Sequence, residues 1–361
     1  MLLEQMNLAG FRGFESAELH LAPKINLITG GNGAGKTTIL EAAHLLANGR
    51  SFRGRVRDGL VRHGETHLSV FAVWYEANGR RRQAGLRHSG RDWHARLDSE
   101  PVNNLADLCA ALAVLSFEPG AHELIAGGSE QRRRFLDWAL FHVEPNFLPI
   151  WRRYARVLKQ RNTLLKNRPD TNTLAVWDAE LCEAGVRLTQ MRALYLAQLE
   201  PLLGQIANRY LPELGRSRLI FTPGWRQDEN SLADALVLSR DRDCLLGYSG
   251  IGPHRADWRI EFEQLPGRSV LSRGQEKLVA LSCVLAQARA YAEMRNEWPI
   301  IALDDLASEL DEAHQDRVLE DVHECGAQIL LTGTTPPRGL KTQGPGSARF
   351  HVEPGCVRAL V

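Results

Sequence analysis

Three short stretches of this 361-residue chain carry residue types that do phosphate chemistry. In ITGGNGAGKTT, residues 28–38, Gly30, Gly35, Lys36 and Thr37 fit the spacing GxxxxGK[ST]. Glycines let a backbone wrap close enough for the N–H groups of Gly30, Gly31, Asn32, Gly33, Ala34 and Gly35 to point at phosphate oxygens. Lys36 then reaches the β- and γ-phosphates of ATP, Thr37 offers its hydroxyl to Mg²⁺, and Thr38 opens the following helix. The second stretch is PIIALDDLASELD, residues 299–311, an apolar run that delivers two acids at its end. Asp304 is the expected metal-side carboxylate, and Asp305 is placed to orient or deprotonate a water. An aspartate reaches one methylene less far than a glutamate, so slow turnover is expected, a switch more than a motor. The third is VLSRGQEKLV, residues 270–279, where Ser272, Arg273, Gly274 and Gln275 form a polar turn into a helix, a place suited to an anion. It comes about 235 residues after the phosphate loop, too far along the chain to be part of that loop.

These stretches need strands and helices to hold them. An apolar strand at 25–28 precedes the loop and a helix at 38–46 follows it; the run 298–303 reads as a strand buried on both faces. The first thirty residues alternate as three short strands, and strand-like pieces recur at 67–75, 81–86 and 93–97. An antiparallel sheet beside a parallel one is expected. From about residue 130 to 210 the pattern becomes helical. Phe147, Trp151, Tyr154, Leu158 and Leu165 form one stripe, and Trp177, Leu181, Ala184, Leu188, Met191 and Tyr195 a second. A turn at 167–172 joins them, and Pro201 is expected to end or kink the second helix. This is a helical hairpin with arms of roughly 30 Å. The expected domains are 1–118, the inserted helical arm 119–240, and 241–361.

Composition excludes several classes. Apolar content of 44% and charged content of 24% suit a globular chain, and no apolar run is long enough to span a membrane. The six cysteines are scattered without a CxxC pair, which fits mostly buried, reduced thiols in a cytoplasmic protein. A net charge of +1 gives the whole molecule no basic bias of the kind that announces nucleic acid.

The order of phosphate loop, polar helix start and acidic strand resembles ABC-type ATPases, with Ser308–Asp311 in the place of the loop that lines their subunit interface. In that class Ser272 and its neighbours contact the γ-phosphate held by a second subunit, so two copies sandwich two ATP molecules. Four stretches together narrow the resemblance. NLAGFRGFESAEL at 7–19 is similar to the start shared by SMC, Rad-type and RecF ATPases. SEQRRRFLDWALFHVEPNF with LKQRN, GIGPHRADW, and LDDLASELD resemble the RecF family in particular. The fold this implies is an α/β ABC/SMC-like P-loop ATPase head, a mixed sheet with helices, carrying an inserted helical-hairpin arm. The function it implies is a weak, DNA-dependent ATPase acting as an ATP switch and recombination mediator. Such a protein dimerises with ATP on DNA at gaps or single/double-strand junctions, and works with RecR (and RecO) in loading RecA.

By the same resemblance Arg12, in the turn GFRG, reaches a nucleotide phosphate. Local support for DNA binding is confined to Arg152, Arg153, Arg156, Lys159 and Arg161, and to Arg50, Arg53, Arg55 and Arg57. His254 and Arg255 either face an interface or DNA, or close a structural turn. SFEPGAHEL at 116–124 departs from the family order, and no glutamine identifies a lobe-bridging loop. A transporter subunit is disfavoured because its loop and signature stand about 100 residues apart. An SMC-like tether is disfavoured by the short insert.

Overall fold

The computed structural model describes residues 1–53, 59–167, 170–265, 271–337, 340 and 346–360, with Thr171 described in its backbone alone. The chain begins β1 Leu2–Phe11, β2 Phe14–His20, β3 Ile25–Gly30, α1 Lys36–Asn48, β4 Leu68–Tyr75, β5 Arg81–His88, β6 Trp93–Leu97, β7 Glu100–Val102, α2 Leu105–Ala111 and β8 Val114–Phe117. It continues α3 Glu123–Ala126, α4 Ser129–Val143, α5 Phe147–Leu165, α6 Thr171–Tyr210, β9 Ser217–Thr222, α7 Leu232–Leu246 and β10 Asp257–Phe262. It closes α8 Arg273–Arg295, β11 Ile300–Leu303, α9 Leu306–Glu309, α10 Glu312–Glu324, β12 Ile329–Gly333, β13 Ser347–Glu353 and β14 Cys356–Leu360. Two compact units result, Met1–Ala121 with Arg273–Val361, and His122–Ser272.

The first unit holds the expected pair of sheets. One is antiparallel, ordered β2-β1-β4-β5-β6-β7. Its strands keep period two: Leu68, Val70, Ala72 and Trp74 of β4 are buried beside Ala84 and Leu86 of β5, while Ser69 and Phe71 face outward, partly exposed. The other is ordered β14-β13-β3-β12-β11-β8 and is parallel except for its β13–β14 edge pair. Every residue of β3, β11 and β12 is buried, as strands covered on both faces require. Helix α8 is likewise buried from Leu278 to Ala288.

In the second unit α5 has 19 residues and α6 has 40, so at 1.5 Å per residue the arms are about 29 and about 60 Å long. The second arm is thus twice the expected length. Pro201 does not end it; the helix runs on to Tyr210. The second stripe is buried at Leu181, Ala184, Leu188 and Tyr195, with Trp177 and Met191 half-buried. On α5, Phe147, Tyr154, Val157 and Leu165 are buried, but Trp151 is 40% exposed. The unit also reaches past the boundary expected at 240, to Ser272. The reason is the β9–β10 ribbon, whose buried Trp258 donates its Nε1–H to the Arg132 carbonyl of α4 at 2.8 Å. All six cysteines are free thiols, but only Cys109 and Cys283 are buried.

Candidate functional site

Parallel pairing brings four distant segments to one edge. Ile28 of β3 lies opposite Thr332 of β12, Leu331 opposite Leu303 of β11, and Leu303 opposite Phe117 of β8. The carboxyl ends of these strands therefore present Gly30, Thr332, Asp304 and Glu118 side by side, where ligands sit in sheets of this kind. The loop after β3 is shaped by two glycines. Gly30 has φ 156°, and a Cβ there would stand 2.3 Å from the Val352 carbonyl oxygen; Gly35 has φ 114° and would meet the Phe14 ring at 2.8 Å. No other residue type fits either position. Lys36 curls back over the loop, its Nζ donating to the Gly30 and Gly31 carbonyls at 2.9 and 3.0 Å.

Asp304 is the hub of the edge. Its Oδ1 accepts from the Thr37 hydroxyl at 2.9 Å and from the Thr332 hydroxyl at 2.6 Å. Thr332 Oγ1 in turn accepts the Asp305 backbone N–H at 2.8 Å. Burial raises the Asp304 carboxyl above the ordinary range, and the two threonine bonds counter that. Its Oδ2 is buried with no hydrogen-bond partner among the described residues. A buried carboxylate oxygen left unsatisfied is costly, and a hard divalent cation is a suitable partner for it. The donor set fits Mg²⁺, which takes one or two carboxylates and completes its shell with water and phosphate. No cluster of three His, Cys, Asp or Glu side chains placed to hold a metal ion exists among the described residues. Asp305 has φ 48°, a left-handed conformation uncommon for any residue but glycine and asparagine-like side chains. Half-buried, it begins the turn α9 immediately after the strand.

Three residues here escape a sequence reading. Thr332 ends the run ILLTG, and a hydroxyl at the end of a buried strand was the available signal. Glu118 follows Phe117, whose carbonyl accepts the Asp304 N–H at 2.8 Å. Burial, together with the charges of Asp304 and Glu41, raises its carboxyl to about 7, with Arg53 opposing. Glu41, on the helix that follows the phosphate loop, is fully buried and accepts both Nε and Nη2 of Arg12, at 2.5 and 2.7 Å. It also accepts the Ser51 hydroxyl. Arg12, expected at a phosphate, is therefore held bidentate on α1, its own backbone at φ 50°.

Ser272 is exposed and immediately precedes α8, whose first residues Arg273, Gly274 and Gln275 include two that are exposed. A Cβ added at Gly274 would meet nothing within 4 Å, so that face is open. One turn on, Lys277 Nζ pairs with Glu309 Oε2 at 2.9 Å, tying the helix start to the turn that follows Asp305.

A family model for the RecF/RecN/SMC N-terminal domain matches residues 2–338. The chain is 56% identical over 361 residues to the DNA replication and repair protein RecF of Xanthomonas oryzae pv. oryzae (strain MAFF 311018), covering 99% of this chain and 100% of that one. The chain belongs to the RecF family. It is 56% identical to RecF of Stenotrophomonas maltophilia (strain R551-3) and 35% identical to RecF of Shewanella baltica (strain OS223), with both chains covered fully in each case. A solved structure of the recombination mediator protein RecF with ATP superposes with a TM-score of 0.88 at 25% identity, over 100% of this chain and 98% of that one. An SMC head bound to the C-terminal winged-helix domain of ScpA gives 0.62 at 14% identity, over 100% and 97%, a likeness of fold alone.

The structure divides the basic residues of α5 that the sequence offered as DNA contacts. Arg161 is a correction: it is fully buried, donating to Asp178 and Asp243 at 2.7 Å each and to the Ser249 hydroxyl at 2.8 Å. No DNA reaches it. Arg153 is paired with Glu180 and Glu183, and Arg156 stands 3.6 Å from Glu180. Arg152 and Lys159 are exposed. Of the second cluster, Arg50 and Arg53 are described and Arg55 and Arg57 lie outside the described residues. His254 closes a structural turn, accepting the Tyr154 hydroxyl at 2.7 Å and donating its other ring nitrogen to the Ser249 carbonyl at 2.9 Å. Arg255 lies over the Tyr248 ring. No helix is long and apolar enough to cross a membrane among the described residues.

Proposed function

We propose that the chain is an ATP- and DNA-binding recombination mediator that works as a nucleotide switch, and that its site residues act as follows. The N–H groups of 30–35, with Lys36, Thr37 and Thr38, hold the phosphates of ATP. Lys36 exchanges its bonds to the Gly30 and Gly31 carbonyls for the β- and γ-phosphates. Thr37 and Asp304 hold Mg²⁺, which neutralises charge on the phosphates when bound. Asp305 orients the attacking water and takes its proton; Arg12, its charge matched by Glu41, turns its remaining guanidinium N–H groups to a nucleotide phosphate. The single observation that carries the reading is the orphaned Oδ2 of Asp304, whose Oδ1 accepts from Thr37 at the start of the helix that follows the phosphate loop.

Ser272 and the N–H groups after it face outward and serve the γ-phosphate of a second copy, so ATP closes a dimer and hydrolysis loosens it. The relatives named RecF for DNA replication and repair support DNA as the partner, at gaps or single/double-strand junctions. The RecFOR pathway of the solved neighbour supports RecR and RecO as co-workers in loading RecA. Hydrolysis is slow and stimulated by DNA. The test is light scattering with ATP, with ADP and without nucleotide, followed by ATP hydrolysis on gapped duplex. A dimer with ATP alone and faster hydrolysis on DNA are expected. A constitutive dimer, or turnover indifferent to every DNA form, overturns the reading.

A further inference from the structure

We infer that the outer face of the antiparallel sheet in the first unit is a docking surface for single-stranded nucleic acid. The inference rests on the DNA-binding reading proposed above and gives it a place that no basic helix supplies. An open groove of about 730 Å³ runs over β4, β5 and β6 and is rimmed by Pro101, Val102 and Asn103. Strand alternation puts Ser69 and Phe71 of β4, Gly85 and Arg87 of β5, and His94 and Arg96 of β6 on this face. Registers set them in rows: Phe71 opposite Gly85 opposite Arg96, and Ser69 opposite Arg87 opposite His94.

Two features select the occupant. The first is charge. Arg87, His94 and Arg96 are exposed, no carboxylate lines the groove, and neither arginine is in a salt bridge among the described residues. Arg87 donates to the His67 ring, a neutralising partner for no charge at all. Neighbouring arginines off the groove are matched by acids: Arg82 by Glu76 and Asp98, and Arg80 by Asp98. On a chain of net charge +1, unmatched arginines gathered about one groove make a local positive field that attracts anions. The second is the ring. Phe71 is half-buried, and a Cβ at Gly85 would touch its edge at 3.8 Å, so the missing side chain leaves the ring as open floor. An aromatic floor flanked by arginines is the arrangement that stacks bases and tracks a phosphate backbone without reading sequence. An acidic peptide would use the arginines but has no need of an open ring.

The test uses the full chain, fluorescence anisotropy and a labelled oligo-dT strand, over a salt series with ATP present. Arg87→Glu/Arg96→Glu is expected to weaken binding at least ~10-fold and to lower the salt slope by about 1.4, for two lost phosphate contacts. Phe71→Ala is expected to weaken it between about 5-fold and about 150-fold with the slope unchanged. Unchanged ATP binding by both variants shows that each is folded. Oligo-dT binding by the double-arginine variant at wild-type strength overturns the groove while leaving the DNA-binding reading intact. A wild-type chain that binds no DNA overturns both. Oligo-dT binding indifferent to all three substitutions, with binding of labelled polyglutamate lost on Arg87→Glu/Arg96→Glu, assigns the groove to an acidic protein segment and overturns the inference.

Discussion

Replacing Arg161 with methionine separates packing from DNA contact in the second unit. The guanidinium lies between three elements: Nε bonds Asp178 of α6, Nη1 bonds Asp243 of α7 and the Ser249 hydroxyl. Asp178 also accepts Arg240 at 2.9 Å, so it keeps a cation when Arg161 is gone. Asp243 is fully buried and keeps only neutral donors, Ser239 at 3.1 Å and the Gly250 N–H at 2.9 Å. Leaving one buried charge uncompensated costs about 3–5 kcal/mol. In a unit of about 150 residues each kcal/mol moves Tm by about 2–4 °C, so a fall of about 6–20 °C is expected. Thermal melting followed by far-UV circular dichroism reads it. Adding Asp243→Asn removes the stranded charge, with Oδ1 still accepting the Gly250 N–H and Nδ2 donating to the Ser239 hydroxyl, and is expected to recover at least half of the loss. DNA affinity measured below the melting transition stays at the wild-type value. A Tm within about 2 °C of wild type, or a normal Tm with lost DNA binding, refutes the reasoning.

Lys36→Met is expected to abolish ATP binding, read by equilibrium dialysis, while the loop keeps its strand–helix frame. Ser272→Arg should retain ATP binding yet give no ATP-driven dimer in light scattering; a dimer of wild-type strength sinks the role in trans. If side-chain reach limits hydrolysis, Asp305→Glu raises the turnover rate in a single-turnover assay, and an unchanged rate shows that reach is not limiting. Burial lowers His254 to about 4, so the folded chain binds fewer protons there than the unfolded one does. Its contribution is present above the ordinary histidine value near pH 6.5 and is lost as pH falls toward about 4. His254→Gln should therefore flatten the acid limb of Tm against pH, and an unaltered limb would mean that other groups set it.

Legibility followed the kind of signal each feature leaves. The strand–loop–helix at 25–46 and the buried strand ending in Asp304 are local patterns, and their neighbours in the sheet follow from parallel pairing. The length of α6 was not local. Pro201 reads as a stop, yet it and Ala197, whose carbonyl it leaves without an N–H, are both exposed, a position where solvent can serve in place of the missing donor. Buried Leu199, Leu202 and Leu203 keep the helix on its partner meanwhile. Arg161 was misread because charge counts identify a residue type and not its partners. Its spacing was informative: 154, 157, 161 and 165 form one stripe, so the arginine shares the face of Tyr154, Val157 and Leu165. Asp178 and Asp243, which make that position tolerable, lie on other helices and far along the chain. Thr332 was invisible for the same reason, a single hydroxyl whose meaning comes from the Asp304 carboxylate and the Asp305 N–H just past the neighbouring strand.

The link between the acidic strand and the polar helix start is also a matter of partners. Asp305 leaves β11 in a left-handed conformation, held by the Thr332 hydroxyl, and the chain turns at once into α9. Glu309 at the end of that turn grips Lys277, one turn into α8 from Ser272. A displacement of the Asp304–Asp305 backbone thus has a short route to the helix start: one threonine, one helical turn and one ion pair. The pair is only partly exposed, 27% at the lysine and 13% at the glutamate, so water screens it less than a surface bridge. In the proposed dimer, Ser272 gives to a neighbour's phosphate from a helix that this pair ties to the turn after its own chain's Asp305. On the dimer reading, two such routes run in opposite directions across one interface, and both γ-phosphates are sensed by both copies.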